Sequence, residues 1–505
     1  MSLRKNILAN YASQVYVALI GIVMVPLYIN YMGPEAYGLV GFFLMLQAWF
    51  NLLDMGLTPT IARETSRFRG GATDALSFRR LVRALEGVFL IVALIGGTAT
   101  FAASGYIAHD WLQASRLPTA EVQTAVQLMA IVVAVRWTCG LYRGLISGSE
   151  RLVWLSGFNA MIATLRFVAV LPVLMFVGVT PTIFFAFQLS VAVIEFAVLL
   201  FFGYRLLPDI PRGKQPRWEW APLKPVFKFS LAIAFTSSVW VAITQTDKLV
   251  LSAMLPLADF GYFTLAVLIA GGVMIISGPV SSAIMPRMSK LEAEGDHAGM
   301  IRVYRRATQF VVVIAGAASF TVAFGAEPLL WAWTGDEHLA RQAAPVLVLY
   351  ALGNGILAVA AFPYYLQYAK GDLRLHVIGN AAFAVLLIPG IVWAASRYGG
   401  VGAGYVWLGM NLISFVAWLP LVHRKFEPGL NLKWYGRDIL PIALVTAIAA
   451  YFLSNLLPPS HSRAMQLAEL CLTGLLATLA GALASSFFIS KIWAHSDDKQ
   501  VVQEG

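Results

Sequence analysis

The run PTIFFAFQLSVAVIEFAVLLFFG, residues 181–203, holds one ionisable side chain, Glu195, in 23 positions. As a helix rising about 1.5 Å per residue it would be roughly 35 Å long, enough to cross a hydrocarbon core of about 30 Å. A strand reading fails, because a membrane barrel alternates over only roughly 10 residues per strand. Thirteen similar runs flank it, near 9–32, 38–56, 84–107, 122–146, 152–178, 226–255, 260–285, 307–332, 342–368, 375–396, 400–422, 438–457 and 464–492. The sequence therefore predicts an all-α polytopic membrane protein with about 14 transmembrane helices. Composition agrees: of 505 residues 59% are hydrophobic and only 12% charged, with mean hydropathy +0.73. Soluble domains carry about 25% charged residues, so little of this chain is free to face water. Cys139 and Cys471 both lie in apolar stretches, which excludes a disulfide framework and a thiolate metal cluster.

The net charge of +10 would suggest nucleic acid in a soluble protein, but its distribution says otherwise. With the N-terminus inside, 29 of the 36 Lys and Arg fall in the inside segments, four outside and three within the spans. That bias predicts both termini in the cytoplasm and no nucleic-acid partner. The first run follows Arg4 and Lys5 without a small-residue cleavage site and reads as a retained signal-anchor helix. The outside segments are short, the longest being about His109 to Glu121, so no external catalytic domain is expected.

A shift of 223 residues places Tyr37-Gly38 on Phe260-Gly261, Ser66-Arg67 on Ser289-Lys290, and Arg83-Ala84 on Arg306-Ala307. The repeat predicts an N-lobe of six helices at 1–204, an inter-lobe linker at 205–225, and a C-lobe of six helices at 226–424. Two extra helices follow at 425–492, then a cytoplasmic tail at 493–505. Six helices per half make the repeat parallel, about a pseudo-two-fold axis along the membrane normal, which is a transporter architecture.

Charges inside a bilayer cost at least about 2.5 kcal/mol each and mark candidate functional sites. Arg136 and Arg166 lie 11 and 14 residues into their spans, roughly 16 and 21 Å deep. Glu195 lies 9 residues in, roughly 13 Å. One carboxylate cannot neutralise two arginines, so at least one arginine is expected to face an anionic ligand. Lys248 either joins that site or snorkels to the headgroups, and adjacent positions on a helix argue against its pairing with Asp247. Asp54 and Glu86, near the inner ends of their spans, are expected to pair with arginines of the following loop. Glu195, Asp247, Asp54 and Glu86 are the candidate cavity or ion-coupling acids. No histidine sits at a helix midpoint, so a histidine relay or metal site is unsupported. A phosphate-binding G-x-x-x-x-G-K-[ST] loop is absent from the sequence, so no ATP chemistry of its own is expected.

Three stretches resemble the Wzx-type polysaccharide flippases of the multidrug/oligosaccharidyl-lipid/polysaccharide exporter superfamily. They are Met32-Gly33-Pro34-Glu35-Ala36-Tyr37-Gly38, the segment from Asn51 through Asp54, Gly56 and Pro59 to Arg63-Glu64, and Gln245-Thr246-Asp247-Lys248-Leu249. The resemblance implies alternating-access export of an undecaprenyl-diphosphate-linked oligosaccharide, for O-antigen, capsule or exopolysaccharide, across the bacterial inner membrane. It implies no enzymatic activity, no cofactor beyond a coupling proton or sodium ion, and polymerase and chain-length proteins as partners alongside membrane lipids. Arg136, Arg166 and Lys248 would then face the diphosphate, with the polyprenyl tail in a gap shaped by the two extra helices. A lipid II-type flippase and a cation-coupled drug exporter stay open as alternatives. A drug exporter calls for an unpaired acidic cavity, whereas the deep excess here is arginine. A membrane glycosyltransferase or ligase, which would need larger outside loops, is disfavoured.

Overall fold

A computed structural model describes residues 3–54, 56–209, 223–275, 277–456 and 462–485. The linker beyond 209, where Trp218 and Trp220 are expected to anchor at the lipid headgroups, and the tail at 493–505 lie outside the described residues. The fold is all-α. Its long helices are α1 (Leu3–Met32), α2 (Pro34–Phe50), α3 (Leu57–Arg69), α4 (Ala75–Ala102), α5 (Thr119–Gly148), α6 (Leu152–Phe167), α7 (Pro181–Leu206) and α8 (Lys224–Met254). There follow α9 (Leu257–Ile275), α10 (Ser277–Ala293), α11 (His297–Phe324), α12 (Glu337–Ala360), α13 (Arg374–Ile413), α14 (Leu440–Leu456) and α15 (Arg463–Ala484). Twelve continuous stretches among the described residues are long and apolar enough to cross a membrane. One of them, 374–426, is two spans. Gly399 breaks it with φ 58° and ψ −141°, and a Cβ on Gly390 would meet Val406 while one on Gly379 would meet the Trp418 indole. Residues at nearly equal separations from Gly399 thus lie side by side, as a hairpin requires. With the 31-residue α8, the expected fourteen spans are accounted for.

The 223-residue shift holds for whole elements. It carries the first residue of α2, Pro34, onto that of α9, Leu257. It also brings the starts of α3, α4, α5 and α6 onto those of α10, α11, α12 and α13, and the start of α7 onto the second arm of α13, to within five residues. Contacts repeat the relation. A Cβ on Gly38 would run into the Leu257 carbonyl, and one on Gly261 would stand 2.8 Å from the Pro34 carbonyl and 3.1 Å from the Gly38 nitrogen. Gly38 meets the repeat counterpart of Pro34, and Gly261 meets Pro34 itself, the reciprocal pattern of a two-fold.

Segments assigned to the same side of the membrane meet one another. On the side expected to be external, Trp111 donates to Ser252 at 3.0 Å and Leu257 N–H to the Gln113 carbonyl at 2.9 Å. Glu35 accepts backbone N–H bonds from Ser115, Arg116 and Leu117 at 3.0–3.2 Å. On the other side Ser66 donates to the Gly148 carbonyl at 3.1 Å and Arg79 to the Pro208 carbonyl at 2.9 Å. There too Lys425 binds Asp372 at 2.7 Å and holds that exposed carboxyl below the usual carboxylate range.

Contacts divide the chain into two compact units, Met1–Gly261 and Tyr262–Gly505. In the first, α5 is central, packed on α3, α4 and α7, while α1 lies along α6. In the second, α14 and α15 pack on each other and on α11. Small residues permit the approach: Ala317, Ala450 and Ala477 form one buried cluster, and a Cβ on Gly481 would overlap the Thr446 hydroxyl. A polar clamp fixes the start of this pair. Fully buried Asp438 accepts from Arg305 Nε at 2.6 Å and Nη2 at 3.0 Å, and from Gln309 Nε2 at 2.6 Å.

Candidate anion-binding site

Three helices of the first unit deliver the deep charges to one place. Beyond its first turn, α5 carries no charge except Arg136 and Arg143, which stand seven residues apart, two turns, and so share one face. That face meets α7 at Glu195, the single acid of its run, and α6 supplies Arg166 from its last turn. Arg143 binds Glu195 Oε1 through Nη2 and the amide oxygen of Asn159 through Nη1. Arg136 Nε lies 3.7 Å from Glu195 Oε2. Both Arg136 and Glu195 are buried, whereas the Arg143 side chain remains 30% exposed. Arg166 lies within Coulombic reach of the other three. Its backbone carbonyl accepts from Gln188 at 2.9 Å, and its guanidinium stands 5.3 Å from the Phe167 ring centre.

Three guanidiniums around one carboxylate leave two positive charges in excess. Glu195 is held between Arg143 and Arg136, and no ion pair is found for Arg166 among the described residues. All three guanidinium nitrogens of Arg136 and Nε of Arg166 are buried without a hydrogen-bond partner among the described residues. Donors in that condition are costly unless something accepts from them. The arginines also form a staircase. Counted from the shared helix ends near Ser147 and Leu152, they sit about 6, 16 and 21 Å deep at 1.5 Å per residue. An anion of two or more charges with several acceptor oxygens matches the deficit, since guanidinium forks grip phosphate oxygens two at a time.

The sequence singled out Arg136, Arg166 and Glu195, and the structure brings them together. Arg143, near a helix end, is one of the 29 inside charges of the sequence and not one of its three charges within the spans; its seven-residue spacing from Arg136 is the available signal. Lys248 does not join the cluster. Contrary to expectation it pairs with its neighbour: Nζ lies 3.1 Å from Asp247 Oδ1 and donates to the Thr244 carbonyl at 2.8 Å. The angular argument concerns where the two Cβ atoms point, and the four-carbon lysine stem is long enough to curl back.

Asp54 also departs from expectation, capping α3 instead of pairing with an arginine. It accepts from the Thr58 hydroxyl at 2.6 Å and the Thr58 N–H at 3.2 Å. Thr58 is four residues away on the next turn, closer than any loop guanidinium. Glu86 pairs as expected, 3.6 Å from Arg83, and also accepts from Tyr142 at 3.1 Å. Of the remaining motif residues, Gly33 and Gly56 take positive φ, 85° and 72°, at the starts of α2 and α3, and Pro34 opens α2. Glu64 lies 3.6 Å from Arg63 and 3.2 Å from Arg67, and Gln245 is half-buried on α8.

Known proteins place this architecture. The fold resembles the lipid II flippase MurJ in an inward closed conformation, with TM-score 0.70 over 97% of this chain and all of that one, at 12% identity. It also resembles an inward-facing multidrug resistance MATE family transporter of the MOP superfamily, with TM-score 0.67 over 81% of this chain and 94% of that one, again at 12% identity. In sequence, the lipid III flippase of Escherichia coli (strain K12) is 24% identical over 204 residues, 40% of this chain and 47% of that protein. The chain thus spans about half the length of the curated relatives it matches. A family profile described as "Polysaccharide biosynthesis protein" matches residues 3–292, more than half the chain. On that match, and on the all-helical repeat it runs through, the chain belongs to the polysaccharide biosynthesis protein family.

Proposed function

We propose that this protein is a flippase that carries undecaprenyl-diphosphate-linked oligosaccharide units across the bacterial inner membrane by alternating access. The observation that carries the reading is the excess of two buried positive charges at Arg136, Arg143 and Arg166. A diphosphate entering hydrocarbon bare would meet a prohibitive desolvation cost, and the arginine staircase offsets it at successive depths. The pyrophosphate oxygens would be gripped first at half-exposed Arg143, then by Arg136 and Arg166. The sugar would occupy hydrated space next to the cluster, and the prenyl tail would stay in lipid. Lys248 would act on the substrate only after leaving Asp247. Release would require the Gly38–Gly261 contact and the Trp111 and Gln113 bonds to part. A coupling proton or sodium ion, and delivery to polymerase and chain-length proteins, belong to the same proposal.

The related readings share the fold but fit the cluster less well. A cationic drug would be repelled by two uncompensated arginines. A lipid II-type cargo carries the same diphosphate and differs only in its sugar, so the cluster does not separate it from an oligosaccharide repeat. The test is expression in cells lacking their own flippase, with the lipid-linked oligosaccharide of each leaflet quantified. The reading expects the outer-leaflet pool to be restored by the native chain and not by Arg136→Ala/Arg166→Ala at matched protein level. Retention of the pool in the inner leaflet by the native chain would overturn it.

A further inference from the structure

Ile131, Val135 and Thr138 share one face of α5, whereas Arg136 and Arg143 share another. On the first face, α4, α5 and α7 enclose a trough of about 420 Å³ whose walls include Leu90, Leu94, Phe101, Ile131, Val135 and Phe196. Leu90 and Leu94 are 56% and 59% exposed, so the trough opens along its side. From Leu90 to Phe101 it follows eleven residues of helix, about 16 Å, which is one leaflet's share of a hydrocarbon core of about 30 Å. Water would need polar partners, and the two wall hydroxyls, Thr98 and Thr138, already donate to the Leu94 and Val135 carbonyls. A hydrocarbon chain needs none.

The trough has a polar end. Leu90, Thr138 and Phe196 also border a smaller cavity of about 200 Å³ that reaches Glu86, Tyr142 and Tyr204. There Arg83 lies 3.6 Å from Glu86, Tyr142 donates to Glu86 at 3.1 Å, and Tyr204 lines the same cavity as Glu86. An apolar channel of leaflet length ending in one cation, one carboxylate and two phenols has the chemical outline of a zwitterionic amphiphile.

We propose that this trough is a binding site for a phosphatidylethanolamine of the adjoining bilayer. One acyl chain fills the channel, the phosphate sits on Arg83 and Tyr204, and the ammonium sits on Glu86. Charge complementarity favours this occupant over two others. An anionic glycerophospholipid would place its phosphate on Arg83 and bring no cation to Glu86. A polyprenyl diphosphate would bring several negative charges to a mouth whose one arginine already faces a carboxylate.

The test is native mass spectrometry of the full chain extracted from vesicles of phosphatidylethanolamine and phosphatidylglycerol. The native chain should retain phosphatidylethanolamine in preference. Thr98→Trp and Leu94→Trp, both at exposed trough positions, should lose the retained lipid while thermal unfolding stays unchanged. Glu86→Gln should still retain a lipid but shift its preference to phosphatidylglycerol. Equal retention of both lipids by the native chain would overturn the proposal. So would undiminished retention by both tryptophan variants, or one-for-one displacement by added polyprenyl diphosphate.

Discussion

Replacing Arg143 with methionine separates the cluster's structural charge from its functional ones. The substitution keeps most of the side-chain volume and removes the guanidinium that binds Glu195 and Asn159. Breaking a fully buried ion pair from one side costs roughly 3–5 kcal/mol. Here the cost is smaller, because the Arg143 side chain is 30% exposed and Glu195 keeps Arg136 at 3.7 Å. A loss of about 2 kcal/mol is expected after that discount for solvent screening, a fall of roughly 4–8 °C in the Tm of a unit this size. Adding Glu195→Gln should recover most of it, since the stranded carboxylate is then gone. Arg166→Met should behave oppositely: it removes a guanidinium without an acidic partner, so Tm holds or rises while export is lost. The assay pairs thermal unfolding in detergent with export measured at matched protein level. The reasoning fails if Arg166→Met lowers Tm as much as Arg143→Met, or if the Arg143→Met/Glu195→Gln double variant is no more stable than the single.

Three further outcomes are expected. Cysteines placed singly at Arg116, Asp259 and Arg341, all exposed, should react with an impermeant external reagent, and those at Ala72 and Gly295 should not. Reversed labelling at two of these sites would invert the topology. Gly261→Val should hold the α2–α9 crossing apart, because its Cβ would already stand 2.8 Å from the Pro34 carbonyl; export should fall sharply and labelling of a cysteine at Pro34 should rise, whereas Gly271→Val, where a Cβ meets open space, should do neither. Asp438→Ala should cost about 3 kcal/mol by stranding Arg305, read as a lower Tm, with Asp438→Asn recovering part through its remaining acceptor.

The fold was legible because the bilayer admits so few solutions. A helix must be long, apolar and internally bonded, so the span count could be read from runs alone, including the 374–426 hairpin, whose turn falls at the Gly399–Gly400 break in hydropathy. The repeat was legible from a handful of residues at one offset. The site was legible only where a charge interrupted an apolar run. Arg143 lies close enough to a helix end to pass for a loop charge, and nothing local shows that its side chain turns inward to Glu195. Asp54 and Lys248 were misjudged for a related reason. Their partners, Thr58 and Asp247, are sequence neighbours chosen by side-chain reach, which helical position alone does not reveal.

The reciprocity at Gly38 and Gly261 carries a statement about ancestry. Before a gene duplication fused the halves, the same contact would have been made by two copies of a chain half this length. One glycine would then have faced the proline-bearing helix start of its twin across the symmetry axis. In such a homodimer a single substitution strikes both sides at once, so bulk there is excluded twice over. Duplication would release that constraint and let the two helix starts differ, Pro34 in one half and Leu257 in the other, while in this chain both crossing positions are glycine. One half could carry buried arginines that the other lacks only once the two halves were separate copies of the sequence.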